Sequence, residues 1–262
     1  VIDSSHINSL PHLLLLHGFF GCAHNWRACV EALSLHWTIH APELPFFGLN
    51  HKEDRLGHLI RHLEELLRGG GIERVVVVGN SLGGQLAVNL ALRQPGRVAG
   101  LVLAGSSGLY ERNLTTRVQR HPPREWVRDR VREIFYDEVH VTDRQVDEVM
   151  ALIEDRSKAI DILLLAKSIR AQRLREALPR IECPVSLIWG ADDRITPPET
   201  AREFKALLRD AELHFISRCG HAPMIEHPGE FTRLVEVFLR RFREPYQSPF
   251  SPFGSFGLLN VG

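Results

Sequence analysis

The stretch Val75-Val76-Val77-Val78-Gly79-Asn80-Ser81-Leu82-Gly83-Gly84 constrains the fold more than any other part of the chain. Four consecutive valines read as a strand buried on both faces, and the three- and four-residue apolar spacing that follows reads as a helix. A serine on so sharp a strand-to-helix turn is forced into a strained backbone conformation, and the residues two before and two after it must be small. Gly79 and Gly83 meet that requirement. The other reading of a glycine-rich strand-helix turn is a phosphate loop, but the lysine of such loops is missing here. The turn therefore predicts a serine hydroxyl presented at the carboxyl end of a parallel strand.

The same alternation runs through most of the chain. Strands are predicted at Leu13–His17, Thr38–Ala41, Arg74–Gly79, Gly100–Ala104, Val185–Trp189 and Glu212–Ile216. Helices are predicted at Trp26–Leu35, Leu56–Arg68, Leu82–Gln94, Pro198–Leu208 and Pro228–Arg243. The run Gly69-Gly70-Gly71 ends the second helix, since glycine tolerates the left-handed conformation there. Between Gly108 and Pro179 the alternation fails, and the chain reads as consecutive helices rich in Arg and Glu with balanced charge. A solvated appendage is the bland interpretation. An insertion after a strand's carboxyl end, however, sits over the face where open α/β sheets bind ligands, which favours a lid. The expected fold is α/β, a mostly parallel central sheet flanked by helices, with residues 1–108 and 180–243 as the core and 109–179 as a helical cap. Residues 244–262, rich in Pro, Ser, Phe and Gly, are expected to be a flexible tail.

Composition narrows the partners. The 32 Lys and Arg residues cancel the 32 Asp and Glu residues, and the pI is near 7.4, which removes the electrostatic footprint of a nucleic-acid or membrane-surface binder. A small-molecule partner is expected, with oligomeric state left open. Cys22, Cys29, Cys183 and Cys219 share no C-x-x-C spacing, so neither a disulfide framework nor a metal site is expected, and a reducing cytoplasm is the simplest compartment. The run Leu13–Leu16 is too short to span a bilayer and follows no basic segment, so no signal peptide or anchor is expected. The chain opens on Val1, as if an initiator segment were absent.

A serine hydroxyl needs a base within hydrogen-bond reach, itself oriented by a third group. The loop Gly190-Ala191-Asp192-Asp193-Arg194-Ile195-Thr196-Pro197 follows one predicted strand, and Cys219-Gly220-His221-Ala222-Pro223 follows the last. All three loops open on one face of the sheet. Ser81, Asp193 and His221 are thus the candidate nucleophile, orienting acid and base. Asp192 competes with Asp193 for the acid, and His227 competes with His221 but abuts Pro228, where packing is its expected role. Stabilisation of an oxyanion is expected from the backbone N–H of Leu82, next to the serine, and from that of Phe19 in His17-Gly18-Phe19-Phe20-Gly21. His17 is expected to be structural.

These motifs, with Gly220-His221-Ala222-Pro223-Met224-Ile225-Glu226-His227-Pro228, resemble the α/β-hydrolase superfamily over about residues 10 to 243. In detail the chain resembles the branch holding carbon-carbon bond hydrolases of aromatic meta-cleavage pathways, small esterases and cofactor-free haloperoxidase-like proteins. Relatives with dehalogenase or epoxide hydrolase activity carry aspartate at the nucleophile position, so Ser81 argues against those activities. The resemblance implies a serine hydrolase without cofactor or metal, acting on small, largely apolar esters through an acyl-enzyme. Asn80 is similar to the residue before the serine in carbon-carbon hydrolases, which leaves cleavage of dienone acids as an alternative; Arg112, Arg117 or Arg170 would then supply a cation for the substrate carboxylate. A non-catalytic or slow ligand receptor on the same fold is the alternative of another class. Two departures stand out. Family members usually carry two further strands ahead of the His-Gly loop, whereas about twelve residues precede Leu13, which leaves a shorter sheet or a truncated chain. Members also commonly have Asp-x-Pro-Gly-x-Gly-x-Ser where this chain has Glu43-Leu44-Pro45-Phe46-Phe47-Gly48-Leu49-Asn50.

Overall fold

A computed structural model describes residues 11–48, 54–110, 122–172 and 174–242, so residues 244–262, Arg112 and Arg117 lie outside the described residues. Six strands form one sheet: β1 (His12–Leu16), β2 (Thr38–His40), β3 (Val75–Asn80), β4 (Val98–Ala104), β5 (Val185–Gly190) and β6 (Ala211–Ile216). Their order is β2-β1-β3-β4-β5-β6, and every neighbouring pair is parallel. Parallel strands need crossovers, which helices supply. Among the described residues these are α1 (Arg27–Leu33), α2 (Arg55–Gly69), α3 (Leu82–Arg93), then α4 (Arg124–Arg132), α5 (Asp143–Glu154) and α6 (Arg156–Ala171) between β4 and β5, then α7 (Pro198–Leu207), α8 (Pro223–Glu226) and α9 (Pro228–Leu239).

The continuous apolar runs are explained by period-two burial against two cores. Leu14, Leu16, Val75 and Val77 face α2 and α3, in the same cluster as Leu59, Leu63, Leu86 and Leu90. Leu13, Leu15, Val76 and Val78 face the other way, with Cys29 and Leu33 of α1 and Phe231 and Val235 of α9. The glycine run ends α2 as expected: Gly71 has φ +62°, and the N–H groups of Gly71 and Ile72 donate to the carbonyls of Arg68 and Leu67. β4 starts earlier than the sequence pattern indicates, at Val98. The register slips between Val75 and Val76, so Val98 and Gly100 pair with successive valines and Ala99 is left as a bulge.

The described residues of the insertion between β4 and β5 form helices α4, α5 and α6, with α4 tied to α5 by Arg124–Asp147 at 2.7 Å and by Arg128–Asp143. α5 opens with a reciprocal cap between Thr142 and Gln145, and Asp155 caps α6. Polar contacts join the insertion to the sheet layer. Arg55 of α2 pairs with Asp161 of α6 at 2.8 Å, both side chains being buried, and Asp161 also accepts from the Gly48 N–H at 2.9 Å. Asn89 and Gln172 exchange side-chain hydrogen bonds at 2.6 and 2.8 Å. The Ile134 carbonyl accepts from the His221 N–H at 2.7 Å.

Candidate active site

Ser81 sits between β3 and α3 with φ +54° and ψ −118°, a conformation an L-residue adopts only when its surroundings impose it. They do so through the backbone: the Ser81 N–H donates to the Ala104 carbonyl at 3.0 Å, and the Ser81 carbonyl accepts from Gly84, Gln85 and Ser107. The flanking glycines are required by close approach. A Cβ on Gly79 would stand 2.3 Å from the Gly83 carbonyl oxygen, and one on Gly83 would stand 2.1 Å from that of Leu16.

Asp193 and His221 come together as expected, with His221 Nδ1 2.8 Å from Asp193 Oδ2. Both are buried. The carboxylate is held by further donors: its Oδ1 accepts from the N–H groups of Ile195 and Thr196 at 2.8 and 2.9 Å, and its Oδ2 from the Thr196 hydroxyl at 2.8 Å. Asp192 is exposed and uses its backbone N–H on the Cys219 carbonyl. His227 pairs with the Arg218 carbonyl through Nε2 at 2.9 Å and is not among the residues that line the cavity of Ser81 and His221. Ser81 and His221 line one cavity of about 550 Å³, together with Phe19, Leu82 and Asn80.

The loop after β1 approaches the turn closely, a Cβ on Gly18 lying 3.2 Å from Ser81 Cβ. Among the described residues no acceptor is seen for the N–H groups of Phe19 and Leu82. His17 is buried; its Nδ1 lies 2.8 Å from the Gly18 carbonyl and its Nε2 accepts the Leu44 N–H at 3.1 Å. Those bonds require a neutral ring. Burial pushes its pKa below the ordinary value, against the opposing pull of the Gly18 carbonyl and Glu43. The Nε2 to Glu43 approach of 3.4 Å is therefore no ion pair at neutral pH. Phe46, which replaces the usual glycine of the β2 loop, is buried edge-on to His17 and Phe19, and the left-handed turn falls instead at Gly48, φ +79°.

Several positions that support the site carry no local signature. Gly105, φ +52°, leaves room where a Cβ would lie 2.9 Å from His221 Nδ1. The Thr196 hydroxyl donates to Asp193 within its own loop and lies 3.3 Å from His221 Nδ1, while the buried Glu226 accepts from the Gly220 N–H and, across to the insertion, from the Tyr136 N–H. Asn80 uses its side-chain amide to bind the carbonyls of Ala104 and His221, each at 3.0 Å. Of the arginines considered as carboxylate partners, Arg170 lines the cavity. The remaining wall from the insertion is mostly apolar, including Val131, Phe135, Val149, Leu152 and Ile169. No helix of the described residues is long and apolar enough to cross a membrane, and no group of His, Cys, Asp or Glu among them could hold a metal ion.

A family model described as the alpha/beta hydrolase family matches residues 13–234. A 2-hydroxy-6-oxo-2,4-heptadienoate hydrolase of Pseudomonas putida is 31% identical over 82% of this chain and 83% of its own length. A 2-hydroxy-6-oxo-6-(2'-aminophenyl)hexa-2,4-dienoic acid hydrolase of Metapseudomonas resinovorans is 28% identical over 87% of this chain and 84% of its own. Among solved structures, an alpha/beta hydrolase enzyme from a sediment metagenome of the Mar Chica lagoon superposes with a TM-score of 0.73 at 31% identity, covering 89% of this chain and 92% of that one.

Proposed function

The chain belongs to the α/β-hydrolase family and is a hydrolase, and from that premise we propose that Ser81 is its nucleophile, His221 its general base and Asp193 the group that orients the base. The observation that carries this reading is the convergence of a strained serine and a buried, carboxylate-paired histidine on one cavity. In the forward step Ser81 Oγ bonds to the acyl carbon as its proton passes to His221 Nε2, and the carbonyl oxygen becomes an oxyanion between the N–H groups of Phe19 and Leu82. Each such donor contributes about 3 kcal/mol to the transition state. Collapse breaks the bond to the leaving group, which takes the proton from His221. Water then attacks the acyl-enzyme with His221 again as base, which regenerates Ser81 and releases the acid.

Residues 109–179 serve as a cap in this reading, because their helices contribute mostly apolar lining to the cavity that Ser81 also lines. The substrate is a small molecule whose acyl side fits that wall, and small apolar esters suit it. Two observations favour a second substrate class, the dienone acids. The relatives described above are hydrolases of 2-hydroxy-6-oxo dienoates, and Arg170 places a cation on the cavity wall where a carboxylate could meet it. In that case the bond broken is carbon to carbon, and the leaving carbon takes the proton.

Fluorophosphonate labelling read by intact mass tests the nucleophile. Stoichiometric labelling lost in Ser81→Ala is expected; labelling that persists in that variant overturns the assignment. The substrate class is tested by comparing kcat/KM for a ring-cleavage dienone acid with that for a neutral ester of similar size. Preference for the acid that falls with salt and in Arg170→Met supports carbon-carbon cleavage, whereas a salt-insensitive preference for the ester removes it.

A further inference from the structure

The backbone of His221 is held on both sides, and one of the holders is a carboxylate with no part in the chemistry described above. Glu226 of α8 is about nine-tenths buried. Its Oε1 accepts from the Gly220 N–H at 2.7 Å, with the Cys219 thiol 3.8 Å away. Its Oε2 accepts from the Tyr136 N–H at 2.6 Å and meets that of Asp137 at 3.4 Å. One carboxylate thus joins the residue preceding His221 to the turn that follows α4 in the insertion. The next link is direct, the His221 N–H donating to the Ile134 carbonyl, and the one after it is the Asn80 amide on the His221 carbonyl. There is no slack between the two segments: a Cβ on Gly220 would stand 2.5 Å from the Ile134 carbonyl oxygen.

We infer that Glu226 is a positioning residue, which clamps the His221 loop to residues 134–137 of the insertion and so makes the aim of the base depend on that insertion. The chemistry requires a carboxylate. N–H groups from two different segments converge on opposite oxygens of Glu226, and only a group with an acceptor at each end answers both. A glutamine of the same shape presents its NH₂ to one of them, donor against donor, and the clamp opens on that side. His221 Nδ1 stays bonded to Asp193, so a shift of the loop turns the ring about that bond and moves Nε2 relative to Ser81. Misplacement on the order of 1 Å costs about 100-fold in rate.

The inference rests on the reading of His221 as base, so the test includes His221→Ala. Steady-state hydrolysis of p-nitrophenyl acetate and the rate of fluorophosphonate labelling are measured on the full chain for Glu226→Gln, for His221→Ala and for Leu67→Ala. The last is a buried truncation in α2 away from the cavity, serving as a control of lowered stability. The expected result for Glu226→Gln is a kcat lowered about 10- to 100-fold with KM changed less than twofold. The downfield proton resonance of the His221 Nδ1–H should also broaden or move, and Leu67→Ala should do neither. If Glu226→Gln does not fold, Tyr136→Pro removes one donor of the clamp at an exposed residue and should give the same split. A Glu226→Gln enzyme with unchanged kcat and resonance, beside a crippled His221→Ala, overturns the clamp alone. An unimpaired His221→Ala overturns the underlying reading instead.

Discussion

Asp193→Asn should reduce turnover far more than its near isosteric shape suggests, and the hydrogen bonds state why. Asp193 Oδ1 is fixed by two backbone donors, the N–H groups of Ile195 and Thr196, which only an acceptor can satisfy. An asparagine must therefore keep its oxygen there and turn its NH₂ toward His221 Nδ1, where Oδ2 now accepts at 2.8 Å. A donor facing Nδ1 forces that nitrogen to accept and places the ring proton on Nε2, the atom that has to receive the proton of Ser81. The substitution inverts the tautomer while leaving the loop in place. A wrong tautomer in a site of this type lowers kcat by about 10⁴, which is roughly 5.5 kcal/mol at 1.36 kcal/mol per tenfold. Thermal stability should change little, because both backbone donors keep their acceptor. Asp192→Asn, at an exposed position, should stay within about threefold of the parent. The assay is kcat/KM on a short p-nitrophenyl ester with melting temperatures measured beside it. A folded Asp193→Asn within tenfold of the parent, or an Asp192→Asn that is the more damaged, refutes the reasoning.

Ser81→Ala and His221→Ala should each lower kcat by several orders of magnitude, and the double variant should lose little more, as groups that act together are non-additive; near-additive losses on one substrate would break the pair. Gly83→Ala drives a Cβ to 2.1 Å from the Leu16 carbonyl oxygen, so chemical denaturation should show a loss of about 2 kcal/mol or more, and a stability equal to the parent's would contradict the close approach. Asp161→Ala removes a carboxylate partner of the buried Arg55 and should cost about 3 kcal/mol or more in the same measurement, against under 1 kcal/mol for the exposed Glu31→Ala, which breaks an ion pair with Arg27. Burial holds the pKa of His17 below its ordinary 6.5, so the unfolded chain binds the proton first: stability is full above pH 6.5 and is lost as the pH falls from there toward the folded value. His40 is shifted the same way, mainly by burial, so His17→Gln should flatten part of the acid-side decline in melting temperature, and an unaltered pH dependence would rule His17 out as a contributor.

The strands and the helices of the sheet layer were legible in the sequence because the signals for them are local. Runs such as Leu13–Leu16 and Val75–Val78 are apolar at every position since both faces of the sheet are covered, and the prolines before Glu199 and Gly229 mark first helical turns. The serine turn was legible for the same reason, its glycines being required within two residues of Ser81. The sequence could rank Asp193 above Asp192 only by place in a loop; the fold separates them by burying one against His221, 28 residues away, and leaving the other in water. Nothing local distinguishes Glu226 from the other glutamates of the last two helices. Its role follows from Tyr136, 90 residues away, a contact that exists only because the insertion folds back over the sheet. Arg55 stands one residue ahead of the helix that the sequence predicts at Leu56–Arg68, yet it is 1% exposed and pairs with Asp161 of the insertion. Backbone conformation and burial periodicity depend on neighbours in the chain, whereas the partners that aim a base or neutralise a buried charge come from segments whose meeting only the packed structure decides.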